Sequence, residues 1–213
     1  MRSYYPTGSA VRRALGSLVH ERPRTFLFKL LAELGYRRTV FLERPLDEPI
    51  PAGPPDQGAT FAKLAEDRLD AYVAYRGNTD RDATAALFAS GRECYVLERE
   101  GRLISSCWAS TGPQWSKFLD AETPLADGDV YLSDAWTDPE FRGHAYAHLL
   151  CLHQLRHLRD RGFVRAVRST IPENYSALRV HAKSGFRPVE VHGTMRFGRW
   201  RRSFRRPWRG RFP

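Results

Sequence analysis

The stretch Asp138–Ala147, DPEFRGHAYA, follows an alternating run, DVYLSDAWT (129–137), and precedes a long helical pattern, so it marks a strand-to-helix junction. At such a junction the first backbone N–H groups of the helix have no partner within it, and the helix dipole attracts anions to that end. Small side chains let an anion reach the backbone, and an arginine at the rim adds a charge. Arg142, Gly143, Ala145 and Ala147 meet that description. The junction therefore reads either as a place where an anion meets the helix backbone or as an ordinary capped helix start.

Outward from the junction, the chain alternates between two periodicities. The helix is expected over Gly143–Arg161, where Ala147, Cys151, Leu155 and Leu158 recur as one buried stripe that makes Cys151 a core residue. FVRAVRST (163–170) reads as a strand and PENYSALRVHAKSG (172–185) as a helix. FRPVEVHGTMRFGRW (186–200) reads as a hairpin turning at His192-Gly193. Upstream, ECYVLEREGRLISSCWAST (93–111) is a hairpin signal around Glu100-Gly101, and two helices precede it, the second capped by Asp80. A short strand at Thr60–Leu64 opens this block, and a Pro- and Gly-punctuated insertion (113–128) interrupts it.

Ahead of these elements stand a helix from about Arg24 to Leu34, a strand from Tyr36 to Glu43, and a proline-rich linker at about residues 45–58. The expected organisation is an amino-terminal helix-strand block with its linker (1–57), a main domain (58–200) and an arginine-rich tail (201–213). The fold class is α/β, a mixed and mostly antiparallel central sheet with flanking helices.

The formal net charge of +10 indicates an anionic partner without naming one. The three cysteines form no CxxC pair, which disfavours a disulfide framework or a zinc knuckle, and no apolar run reaches the length of a membrane span. A cytoplasmic protein is the expectation. The His144/His148 and His153/His157 pairs lie on different helix faces without a third ligand, so no metal is expected.

LSDAWTDPEFRGHAYAHLL resembles the acyl-CoA-binding motif of the GNAT acetyltransferase superfamily, x-P-x-[YF]-R-G-x-G-x-[GA] after a strand, with Pro139, Phe141, Arg142, Gly143 and Ala147 matching. Ala145 stands where that family usually has glycine. ENYSALRVHAKSGFRPV resembles a second family element, N-x-x-A-x-x-x-Y-x-K-x-G-F, through Asn174, Ala177, Lys183, Gly185 and Phe186, with His181 in the tyrosine position. The resemblance covers about Thr60 to Trp200 and implies an acetyl-CoA-dependent N-acetyltransferase with a GNAT fold.

Carried over, the resemblance puts pantetheine against the backbone of Ala135, Trp136 and Thr137, with Asn174 near it. It puts the pyrophosphate against Arg142, Gly143, His144, Ala145, Tyr146 and Ala147. A carboxylate on the fourth strand of the family fold would deprotonate the attacking amine. Asp134 and Asp129 are the candidates, on opposite faces unless a bulge intervenes, with Asp134 nearer the thioester. His181 would serve the departing thiolate as proton donor. The acceptor would be a small-molecule or peptide amine. A non-catalytic acyl-CoA sensor is an alternative reading. So is a basic protein that binds nucleic acid or an anionic membrane through the eight arginines of residues 196–211.

Overall fold

A computed structural model describes residues 23–123, 125–210 and 212. In chain order the elements are α1 (Pro23–Glu33), β1 (Tyr36–Pro45), β2 (Thr60–Lys63), α2 (Leu69–Arg76), α3 (Arg81–Ala89), β3 (Glu93–Arg99), β4 (Arg102–Ser110), β5 (Gln114–Ser116), β6 (Ala121–Thr123), β7 (Asp129–Thr137), α4 (Tyr146–Asp160), β8 (Arg165–Thr170), α5 (Tyr175–Lys183), β9 (Arg187–Phe197) and β10 (Trp200–Pro207). Eight strands make one sheet in the order β10-β9-β1-β8-β7-β4-β3-β2. Only β7 and β8 run parallel, joined by the α4 crossover. The expected mixed, mostly antiparallel α/β class is what the chain forms. Strands β5 and β6 make a separate ribbon inside the insertion, where the sequence pattern carries no strand signal.

Apolar alternation explains the two sides of the sheet. On one side the α4 stripe of Cys151, Leu155 and Leu158 packs with Val40, Leu42, Tyr95, Leu97, Val130, Leu132 and Ala166. On the other, Tyr72 of α2 packs with Cys94, Val96 and Trp108 of β3 and β4, with Leu87 and Phe88 of α3 against them. Helix α2 stops because Gly77 turns left-handed, and α3 starts because the Asp80 carboxylate accepts from Ala83 N at 2.8 Å. Each cap closes an element without needing a partner from the core.

Strand β1 lies inside the sheet, between β8 and β9, and is paired along both edges. Val40 and Leu42 are fully buried there. Gly35, at φ +96°, ends α1 and lets the chain enter β1; a Cβ there would overlap the Arg196 carbonyl.

Two expectations are corrected. Strand β9 does not turn at His192-Gly193 but runs through both to Phe197, and the chain turns at Gly198, φ +57°. Gly193 has a packing reason: it lies directly opposite Phe204 of β10, and a Cβ there would overlap the Phe204 ring. Residues 200–207 of the arginine-rich segment thereby become an edge strand, anchored in part by Arg201 on Asp120; Arg211 lies outside the described residues. Helix α4 begins at Tyr146 rather than Gly143, because Pro139–Phe141 form a single 3-10 turn and Gly143 and Ala145 both take positive φ.

Candidate active site

The site begins where two strands part. Strand β7 pairs with β8 only at Asp129↔Arg165, Val130↔Ala166 and Tyr131↔Val167. Beyond Tyr131 it follows β4 alone, while β8 stays paired with β1 out to Thr170. The sheet is therefore split between β7 and β8, and the β7 edge from Leu132 onward faces the gap. The hydroxyls of Tyr131 and Ser169 meet across its start at 2.7 Å.

A bulge re-aims β7 at this point. Its register against β4 passes from Ser133↔Trp108 to Trp136↔Ser106, so Asp134 and Ala135 oppose the single residue Cys107. Asp134 takes φ +48° in the bulge, the intervening irregularity that alternation alone leaves open. Its carboxylate receives Arg76 Nη2 at 3.0 Å, and the Arg76 guanidinium lies 5.0 Å from the Trp136 ring. Arg142 lies 4.8 Å from the same ring and donates its Nε to the Thr137 carbonyl at 3.1 Å. One indole thus ties the bulge to the junction. The Trp136 Nε1 donor is buried without an acceptor among the described residues.

The junction itself presents unpaired donors. No backbone acceptor among the described residues takes the N–H groups of residues 143–147, and the first bonded donor is His148 N, on the Ala145 carbonyl at 3.0 Å. No side chain caps the helix. Gly143, at φ +84°, has open space where a Cβ would stand, and Ala145 holds φ +62° with its methyl in place. An alanine in that region costs about 1 kcal/mol relative to an ordinary conformation. The local geometry fits a phosphate: a run of free N–H groups at a helix start, and an arginine at the rim.

Not every residue marked by the sequence joins this group. Asp129 sits at the opposite end of β7, 6 % exposed, where Arg165 grips it through two bonds of 2.9 and 2.8 Å and Ala126 N donates to it. Those bonds outweigh its burial and lower its pKa. It borders a cavity of about 350 Å³ lined by Phe41, Leu125, Ala126, Arg165 and Val167, away from the bulge. Asn174 is the N-cap of α5, and its Oδ1 accepts from Ala177 N at 3.2 Å. Tyr146 is buried, and its hydroxyl accepts from Arg99 at 3.1 Å. The His144 ring bonds its neighbour, the Arg142 carbonyl, at 3.0 Å.

His181 is 5 % exposed on α5, with Nδ1 at 3.1 Å from Arg168 Nη1. Burial first and the Arg168 charge second push its pKa well below the usual value, so the ring is neutral near pH 7. A neutral imidazole can donate a hydrogen bond but does not act as an imidazolium acid. Sequence reasoning missed Arg168, Arg76 and Cys107. The signal for Arg168 was its even spacing from Ala166, which puts it on the buried face of β8.

A model of the acetyltransferase (GNAT) family matches residues 61–186. A mycothiol acetyltransferase of Thermomonospora curvata is 33% identical over 92 residues, 43% of this chain and 27% of that protein. One of Nocardia farcinica is 35% identical over 80 residues, 38% and 25% of the two chains. The chain spans about a quarter of the length of these curated relatives. Among solved structures, a GNAT-family acetyltransferase of Novosphingobium aromaticivorans superposes with a TM-score of 0.54 at 21% identity, over 73% of this chain and 61% of that one. A GCN5-related N-acetyltransferase of Sphaerobacter thermophilus gives 0.55 at 16%, over 78% and 54%. At such identities the likeness is one of fold. The β7–β8 split, the bulge and the free helix start all fall inside the matched segment, and the chain belongs to the acetyltransferase (GNAT) family.

Proposed function

We propose that the chain is an acetyl-CoA-dependent N-acetyltransferase that delivers an acetyl group to a primary amine by direct attack within a ternary complex. The observation that carries this reading is the continuity of the split with the junction. An unpaired β7 edge leads through Trp136 and Arg142 into five consecutive free N–H groups. In this reading the N–H groups of residues 143–147 and the Arg142 guanidinium hold the pyrophosphate. The backbone of Ala135, Trp136 and Thr137 serves pantetheine. Acetyl-CoA supplies the electrophilic thioester.

The chain's own groups then have distinct tasks. An N–H on the free β7 edge receives the oxyanion that develops on the acyl oxygen. Asp134, oriented by Arg76, takes a proton from the substrate ammonium directly or through water, and the free amine then attacks. His181, neutral, offers a hydrogen bond rather than a proton. Asp129 is assigned to holding β7 against β8 through Arg165. The acceptor class is a small-molecule or peptide amine.

The test is calorimetric binding of acetyl-CoA, together with thiol release from it over a panel of primary amines. Wild-type protein should bind and turn over, whereas Gly143→Val, which forces a β-branched residue to φ +84°, should lose binding at least tenfold, a change of about 1.4 kcal/mol. Absence of acetyl-CoA binding by the wild-type protein overturns the reading. Binding without turnover on any amine leaves a cofactor-binding protein.

A further inference from the structure

Among the described residues Arg168 is a buried charge without a countercharge. It is 4 % exposed, and its donors reach neutral acceptors: Nη1 to His181 Nδ1 at 3.1 Å and to Cys151 Sγ at 3.7 Å, Nη2 to Cys107 Sγ at 3.6 Å. No carboxylate pairs with it among the described residues. The Phe186 ring lies 5.4 Å from the guanidinium. The comparably buried Arg44, 3 % exposed, does have an anion, Glu48 at 2.5 Å. An uncompensated buried cation costs a fold several kcal/mol.

Its position explains where a countercharge would come from. Arg168 is the first β8 residue beyond the last β7–β8 pair, and Cys107 opposes the bulge. The guanidinium therefore reaches from β8 to β4 across the split. Because an arginine only donates, His181 Nδ1 must be the acceptor, and the ring proton is on Nε2. The imidazole is locked as a hydrogen-bond donor with a cation behind it.

The geometry points to Arg168 as a positioning residue that, through the Nε2–H tautomer of His181, stabilises a thiolate at the split, so that coenzyme A departs unprotonated. This rests on the acetyl-CoA reading above. The amine nitrogen bonds to the acyl carbon, the C–S bond breaks, and its electron pair stays on sulfur. Two protons leave the nitrogen, one from the ammonium before attack and one from the tetrahedral adduct as it collapses to the amide, and both pass through Asp134 to water. His181 gives up no proton, which distinguishes it from a general acid.

The experiment titrates the protein with coenzyme A and with desulfo-coenzyme A, which lacks only the sulfur, across a thiol's ordinary pKa of about 8.5. Wild-type protein should gain affinity for coenzyme A relative to the desulfo compound by roughly tenfold or more as pH rises, the equivalent of about one pKa unit on the bound thiol. Thiolate ultraviolet absorbance should report the same shift. Arg168→Met and His181→Phe should each abolish the gain and leave desulfo-coenzyme A affinity unchanged. If Arg168→Met does not fold, His181→Phe decides alone. Equal pH dependence for both compounds in the wild-type protein, or a gain that survives in His181→Phe, overturns the inference. Failure to bind either compound overturns the acetyl-CoA reading itself.

Discussion

The sheet divides into two parts that differ in regularity. Strands β3, β4, β7 and β8, and β2 from Phe61 on, lie within the matched segment 61–186. They hold the split, a left-handed Asp134 and a buried cation with no carboxylate partner among the described residues. Strands β1, β9 and β10 lie outside that segment and pair along their length, with one register shift at Phe41/Leu42. Backbone strain persists only where surrounding structure enforces it, and it gathers at sites of function. The regular part supplies that enforcement. Once β7 leaves β8, the remaining neighbour of β8 is β1, and Leu42 stands directly opposite Arg168.

This division of labour predicts its largest effect at β1. Leu42 is fully buried, so Leu42→Ala should cost about 2–5 kcal/mol in urea denaturation. It should also weaken the binding of coenzyme A, because β8 loses support beside the split. If β1 were a separable appendage, the same substitution would leave the main transition in place, and the contrast between the two parts would collapse.

Within the regular part, the edge tests whether regularity alone is enough for the site. Gly193→Val puts a side chain into the Phe204 ring and should cost about 1–3 kcal/mol. Adding Phe204→Ala should recover part of that loss. Acetyl-CoA affinity should stay the same throughout, since β9 and β10 do not border the β7–β8 gap. A fall in affinity matching the fall in stability would show that the two parts are energetically one.

The same division governs what the sequence makes legible. The junction, the β3–β4 hairpin and the α4 stripe are readable because their determinants lie close together in the chain. Alternation marks Tyr36–Glu43 as a strand but does not say which strands it joins, so its place between β8 and β9 is invisible until pairing is known. Gly193 carries a turn signal by residue type, yet its reason is the ring of Phe204, which sits eleven residues on. Arg168 is hidden because charge argues for the surface while parity argues for the core; nothing local decides between them. Asp134 and Asp129 look equivalent by type, and only the bulge and the Arg165 clamp separate them.

The smallest predicted effect falls on the junction, at the one place where this chain departs from the glycine of the family motif. Ala145 holds φ +62° at the N-cap of α4. An L side chain pays about 1 kcal/mol there, whereas glycine adopts the conformation freely but loses more entropy on folding. Ala145→Gly should therefore stabilise the protein by no more than about 1 kcal/mol, read as a small rise in denaturation midpoint. It should also tighten acetyl-CoA binding if the methyl faces the pyrophosphate, because residue 145 lies in the middle of the run of free N–H groups. Stability and affinity can move apart here: a stabilised protein with unchanged affinity would mean that the methyl points away from the phosphate. An unchanged midpoint with tighter binding would mean that the strain is already offset, and that the alanine acts only by occupying space.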